Sequence, residues 1–206
     1  MESVTNGVEL PAPYPLAKQH KAIVPGKASS RLIVAQFRSY VRELSNFFHM
    51  QLNWLVNKHP TILKNSRELV ARIEGVVPLG QECFLDSAEV TALYPSMDQN
   101  TTMDAIQWFM DTHCNSRFPT ETKRFILIIL KFVLTETYMR YDGTLFFLEQ
   151  ISSSAMGVIS SVCCGNSYLQ YCERKVLVIW KARITLYKRF LDNVALQWKG
   201  TLLELV

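Results

Sequence analysis

The sequence predicts an α+β fold, and three stretches predict it. Between Gln36 and Lys58 the apolar residues recur every three or four positions, the period of an amphipathic helix. Tyr138-Met139-Arg140-Tyr141 and Thr144-Leu145-Phe146-Phe147-Leu148 flank Asp142-Gly143, the pair that a type I′ hairpin turn prefers. Arg189-Phe190-Leu191 and Val194-Ala195-Leu196-Gln197-Trp198 flank a second polar pair, Asp192-Asn193, which tolerates the positive φ of a two-residue turn. Helices interleaved with hairpins give a mixed fold with antiparallel strands.

Taken in order, residues 1–13 are small, polar and proline-rich without an apolar period, and read as a flexible lead-in. Structure is expected from Tyr14, then a basic Gly/Pro-punctuated loop carrying Lys18, Lys21 and Lys27, then a short strand starting at Arg31. The helix over Gln36 to Lys58 stops at Pro60, and a second begins at Asn65 or Ser66, with Ser66 as the cap, and ends at Gly75. A strand from Cys83 to Leu93 breaks at Pro95, and a helix over Thr101 to Thr112 packs through Ile106 and Phe109. The next helix, Thr120 to Thr137, is apolar nearly all round, which predicts burial beneath a sheet. After the Asp142 hairpin, Gln150 to Gly157 is a run of small residues opening a helix to about Tyr171. A last apolar stretch, Val176 to Trp180, precedes the Asp192 hairpin.

The chain of 206 residues is 49% hydrophobic and 19% charged, the balance of a globular chain that buries a core as one domain or two small lobes. A net charge of +4 permits a nucleic-acid partner without demanding one. Cys83, Cys114, Cys163, Cys164 and Cys172 are odd in number and lack CxxC spacing, which predicts reduced thiols in an intracellular protein, with nucleus or cytoplasm unassigned. The most apolar run, Phe125 to Leu134, is interrupted by Lys131 and falls short of the roughly 20 residues a membrane helix needs.

A carboxylate at a hairpin tip is well placed to hold a metal ion if a second one ends a neighbouring strand. Asp192 sits at such a tip, and Glu89 lies in a segment that reads as a strand.

Five segments then resemble, in order and spacing, a reverse transcriptase of the Penelope-like retroelement group, relatives of the telomerase catalytic subunit. Tyr14 to Lys21 is similar to that group's Tyr-Gly-Leu-Pro-Lys-x-His-Lys, and Arg31-Leu32-Ile33-Val34 to its Arg-Pro-Ile-Val. Glu89-Val90-x-x-Leu93-Tyr94-Pro95-Ser96 resembles the first catalytic motif, Asp-Val-x-x-Leu-Tyr-x-Ser. Gln150 through Ala155-Met156-Gly157 resembles Gln-x-x-Gly-x-Ala-Met-Gly, and Tyr187 to Asn193 resembles the Lys-Arg-Tyr-Ile-Asp-Asp hairpin.

The resemblance implies the fingers and palm of a right-hand polymerase, with fingers over 14–81, palm over 82–206 and a helical insertion at about 100–137. It implies an antiparallel palm sheet flanked by helices, RNA-directed DNA polymerisation by two-metal nucleotidyl transfer, and Mg²⁺ held by Glu89, Asp192 and Asn193. Partners would be an RNA template, a DNA primer and deoxynucleoside triphosphates, with no membrane. Lys18 and Arg31 would meet the triphosphate, and Tyr94 would gate the sugar. Gln150, Met156 and Gly157 would line the nucleotide, while Lys21 and Lys27 would contact nucleic acid.

The pattern is also truncated and degenerate. Glu89 and Asn193 each replace an Asp, Ala17 and Leu32 each replace a Pro, Ser153 replaces Gly, and Val162 replaces Pro. Fourteen residues follow Asp192, which predicts that there is no thumb. The expectation is therefore an impaired enzyme, with a catalytically dead nucleic-acid-binding relic as the alternative. Asp86 does not substitute for the lost Asp, because three residues along a strand place it on the opposite face from Glu89.

Overall fold

A computed structural model describes residues 10–17, 30–34, 36, 39–75, 83–114, 116–149, 154 and 157–201, and of residues 31, 32, 55, 137, 139, 148 and 149 it describes the backbone only. The architecture is α+β, with the helices gathered into one core and the strands in three small antiparallel sheets.

Strands β1 (Pro13–Ala17) and β2 (Ser30–Val34) pair with Leu16 opposite Arg31. Helix α1 (Tyr40–Val56) buries Val41, Phe48, Leu52 and Val56, the inward positions of its apolar period. Helix α2 (Ser66–Glu74) is capped by Asn65, whose side chain accepts from the Glu68 N–H. The expected cap, Ser66, is instead the first helical residue, because Asn65 has the extended backbone a cap requires. Strand β3 (Cys83–Glu89) is shorter than expected. Ala92 adopts a left-handed conformation, φ 51°, that turns the chain into the short helix α3 (Leu93–Ser96).

Helix α4 (Gln99–His113) starts at Asp98, whose carboxylate accepts from the Thr101 N–H at 2.6 Å and is held below its ordinary range by that bond. Helix α5 (Thr120–Thr135) runs antiparallel to α1, with the Tyr40–Phe132 rings 6.2 Å apart and the Phe47–Phe125 rings 6.1 Å apart. Its burial beneath a sheet is not observed. Helices α1 and α4 cover the stripe of Ile126, Ile129, Leu130, Val133 and Leu134, and Phe125 and Ile128 stay more than half exposed. Helices cover a helix on one side only, so all-round apolarity here yields a buried stripe and a bare one.

Strands β4 (Glu136–Tyr141) and β5 (Thr144–Glu149) form the expected hairpin, with positive φ at both Asp142 and Gly143 as a type I′ turn needs. Helix α6 (Ser161–Ile179) starts later than expected and absorbs most of the apolar stretch from Val176, which is helical up to Ile179. Its first half is buried through Leu169 and through Cys163, Cys164, Gly165 and Ser167, four small residues that let α4 and α3 pack closely. All five cysteines are free, and burial pushes the Cys164 thiol up to about 12.

Strands β6 (Ile184–Phe190) and β7 (Asn193–Lys199) complete a sheet of order β3-β7-β6. Its outer edge is extended at one point by the chain after α1. The Arg189 N–H donates to the Thr61 carbonyl at 2.7 Å, and the Leu63 N–H donates to the Arg189 carbonyl at 2.8 Å. No described helix is long and apolar enough to cross a membrane.

Candidate metal and nucleotide site

Register brings the two candidate carboxylates to one end of the central sheet. Glu89, the last residue of β3, lies directly opposite Asn193, the first residue of β7. Cross-strand partners have Cβ atoms about 4.5–5.5 Å apart and share a face of the sheet. One residue on, the Val90 N–H donates to the Asp192 carbonyl at 2.8 Å, so the pairing continues into the turn. Glu89 and Asn193 are exposed, and Asp192 is half-buried.

The turn differs from expectation by one residue. It consists of Leu191 and Asp192, with the positive φ (53°) at Leu191, and Asn193 already belongs to β7. Phe190 pairs with Asn193, and the shift gives Asn193 a fixed place on the Glu89 face. The Asn193 amide Nδ2 donates to Asp192 Oδ1 at 3.0 Å, so the residue in place of the second carboxylate engages the first one. Asp86 lies opposite Leu196 in a register that puts it on the other face from Glu89, as expected.

Tyr94 stands near this end of the sheet. Burial raises its hydroxyl above the ordinary range, and the negative charge of Asp192 adds to that rise. Gly165 makes room for the ring, since a Cβ there would lie 3.3 Å from Tyr94 Cε1. The Tyr94 carbonyl accepts from the Ser154 N–H at 2.9 Å, tying α3 to the segment that leads into α6. Gly157, at φ 108°, occupies a backbone conformation that favours glycine.

Sequence reasoning gave Arg189 no role. Its side chain is fully buried on the sheet face turned to α6, paired with Glu173 at 2.9 Å. It donates to Asn166 Oδ1 at 2.7 Å, to the Asn166 carbonyl at 3.2 Å and to the Leu191 carbonyl at 3.0 Å. The arginine thus fastens the strained turn residue to the helix beneath the sheet. The available signal was a charged residue inside a strand, a type that is buried only when paired. Burial raises the Glu173 carboxyl, and the Arg189 guanidinium opposes that rise.

Of the other expected site residues, Lys18, Lys21, Lys27, Gln150 and Met156 lie outside the described residues, and Arg31 is placed by its backbone alone, in β2. Glu89 and Asp192 supply carboxylate oxygens and Asn193 an amide oxygen, the donor type that Mg²⁺ takes. Among the described residues no three His, Cys, Asp or Glu side chains gather into a metal-holding group. The donor set therefore fits Mg²⁺ in kind but offers two carboxylates only.

No family model matches the chain, and no curated protein matches it. Solved structures do. Telomerase from Candida albicans, in complex with the TWJ fragment of telomeric RNA, is similar at a TM-score of 0.61 and 13% identity, over 96% of this chain and 39% of that one. Apo telomerase from Candida tropicalis gives 0.62 and 10%, over 96% and 40%. The BmCPV RNA-dependent RNA polymerase in its elongation state gives 0.66 and 10%, over 96% of this chain and 18% of that one. The chain thus spans about two fifths of those telomerase chains and under a fifth of the viral polymerase. At such identities the likeness shows the fold alone, and the fold is that of nucleic-acid polymerases.

Proposed function

We propose that the chain is the fingers (14–81) and palm (82–206) of an RNA-directed DNA polymerase of Penelope-like type, with a weakened two-metal site formed by Glu89, Asp192 and Asn193. The observation that carries this reading is the β3–β7 register, which sets Glu89 opposite Asn193 and one residue from Asp192. Mg²⁺ bound there would favour attack by the primer 3′-hydroxyl and neutralise charge on the leaving pyrophosphate. The chain's own residues would bind and orient. Lys18 and Arg31 would take the triphosphate, Lys21 and Lys27 the nucleic-acid backbone. Tyr94 would stand under the sugar, and Gln150, Met156 and Gly157 would line the nucleotide.

Asn193 lacks the charge of a second aspartate. Two unit charges about 4 Å apart at an effective dielectric of about 20 interact by about 4 kcal/mol, and each ~1.4 kcal/mol is tenfold in rate. The loss is thus worth up to about a thousandfold. The Asn193–Asp192 bond also favours a second reading, a catalytically dead binder of primer and template, because it occupies an Asp192 oxygen that a metal would need.

Primer extension separates the two. Under the first reading the chain incorporates nucleotides slowly, Asp192→Ala abolishes this, and Glu89→Asp with Asn193→Asp accelerates it. Under the second the chain retains salt-dependent duplex binding without extension. Extension unchanged by Asp192→Ala would remove the site assigned here.

A further inference from the structure

Among the described residues, the β4–β5 hairpin has one covered edge and one open one. Tyr141 and Thr144 are the closing pair of its two-residue turn and bond to each other, so the backbone groups of Arg140 on β4 and of Leu145 and Phe147 on β5 point out of the hairpin. The Arg140 N–H confirms this phase by donating outward to the Pro11 carbonyl at 3.1 Å. Along the outer edge of β5, nothing among the described residues takes the N–H and C=O groups of Leu145 and Phe147.

Native edge strands are guarded by a lysine, a proline, a bulge or a covering chain. From Thr144 to Leu148, β5 has no charge and no proline, and its register with β4 runs without a bulge. Its three central side chains are apolar, with Leu145 57% exposed, Phe146 40% and Phe147 51%. Leu145 and Phe147 share the face on which Tyr138 meets Tyr40, while Phe146 faces the other way. The rings of Phe132, Tyr40, Tyr138 and Phe147 follow one another at 6.2, 5.4 and 4.8 Å, so the open edge adjoins the exposed apolar stripe of α5.

The strand is complementary to itself. A two-fold axis perpendicular to a sheet pairs antiparallel strands without exchanging their faces, so it must pass through a residue, and the choice of residue fixes the register. Centred on Leu145, it sets Phe147 against the turn residue Gly143; centred on Phe147, it sets Leu145 against Glu149. Centred on Phe146, it sets Leu145 of each copy against Phe147 of the other, apolar against apolar, and builds both pairs from the outward-pointing backbone groups. We propose that two copies of the chain associate through β5 in this register, forming one antiparallel sheet of order β4-β5-β5-β4. Because the Pro11 segment lies along the other edge of β4, the pairing closes at two copies. At roughly 200 Å² for a whole side chain of this kind, the three exposures offer roughly 300 Å² of apolar surface per copy, well under the about 800 Å² that a standard complex buries on each side. The dimer is therefore a weak one, and covalent capture is the sensitive way to detect it.

The test places one cysteine on β5 of the full chain, with Cys83→Ser and Cys172→Ser removing the two natural thiols that are not buried. Phe146→Cys puts the two introduced thiols at a directly opposite, non-hydrogen-bonded pair, whose Cα atoms lie about 4.5 Å apart, within the span of a disulfide. Mild oxidation should link the copies into a dimer that reductant separates. Thr144→Cys lies on the same face, but its two copies stand four residues apart along the pair, about 14 Å, and should not link. Leu145→Pro removes an outward N–H and leaves the ladder to β4 intact. It should weaken the dimer at least about tenfold in sedimentation equilibrium, and it serves if Phe146→Cys fails to fold. Three results would each overturn the proposal: no link from a Phe146→Cys chain whose circular dichroism is unchanged, equal linking of Thr144→Cys, or association unaffected by Leu145→Pro.

Discussion

Arg189 shows how one side chain can hold a site it does not enter. It is fully buried, and its partners Glu173 and Asn166 lie seven residues apart on α6, so one guanidinium grips two turns of the helix and the Leu191 carbonyl together. Removing it would leave Glu173 as a buried charge without a partner. Arg189→Met should destabilise the fold by about 3–5 kcal/mol, measured by urea unfolding. Arg189→Met combined with Glu173→Leu should recover most of that loss, since an apolar pair of similar volume costs little. A double variant no more stable than the single one would show that the arginine acts through Asn166 and Leu191 instead. The neighbouring positions make the opposite point. Asn193 and Glu89 are exposed, so their replacement changes charge at the site and leaves packing alone.

Among the hairpins and helices, stability depends on a few residues with definite stereochemical jobs. Gly143 sits at φ 74°, and a methyl group added there would meet nothing within 4 Å, so Gly143→Ala brings backbone strain without a clash. The expected cost is about 1–2 kcal/mol, read as a lowered Tm. Gly165 is the reverse case, an ordinary helical conformation with Tyr94 and Leu93 pressed against it. Gly165→Ala should displace the Tyr94 ring and, if Tyr94 stands under the sugar as proposed, weaken nucleotide binding more than it alters helix content, which circular dichroism and nucleotide titration together would show.

The helix α1 and the loop after it also carry a pH response. Burial lowers the His49 ring below its ordinary value of 6.5. Burial likewise lowers His59, helped by the charges of His113, Arg189 and Lys188. As pH falls through 6.5 the unfolded chain takes up protons that the folded one refuses, so unfolding free energy should decrease on acidification below that value. His49→Gln with His59→Gln should flatten the profile in that window. The difference between the two profiles isolates the imidazoles from Glu173, whose raised carboxyl acts in the opposite direction.

Across the described residues, the helices form the core and leave a broad apolar surface on α1 and α5. Phe47 and Met50 of α1 and Phe125, Ile128 and Phe132 of α5 are exposed, and the Phe47–Phe125 contact joins the two stripes. The all-round apolarity of the Thr120 helix predicts burial. The outward aromatic residues of α1 and α5 instead make a patch of the kind that marks an interaction surface. Phe125→Lys with Ile128→Lys should leave Tm within a few degrees, because exposed substitutions change stability by about 0.5 kcal/mol or less. The same pair should raise the concentration at which the chain self-associates in sedimentation velocity, and an unchanged threshold would place any association elsewhere.

The class of fold, the Asp142-Gly143 hairpin and the two long helices α1 and α5 were legible in the residues alone, because local stereochemistry and apolar period are written in neighbouring positions. So was the opposite facing of Asp86 and Glu89, since strand alternation is a local rule. Long-range contacts, by contrast, chose Leu191 and not Asn193 to take the positive φ in the second hairpin. That choice follows from the β3 register and from the Arg189 contact to the Leu191 carbonyl, the first made by a strand distant in the chain and the second held from α6. Packing also chose which stripe of α5 is covered, since periodicity reports how apolar a face is and not what packs against it. Folding in three dimensions alone brought Glu89 to Asn193 across about a hundred intervening residues, a pairing set by sheet hydrogen bonds that no local pattern encodes.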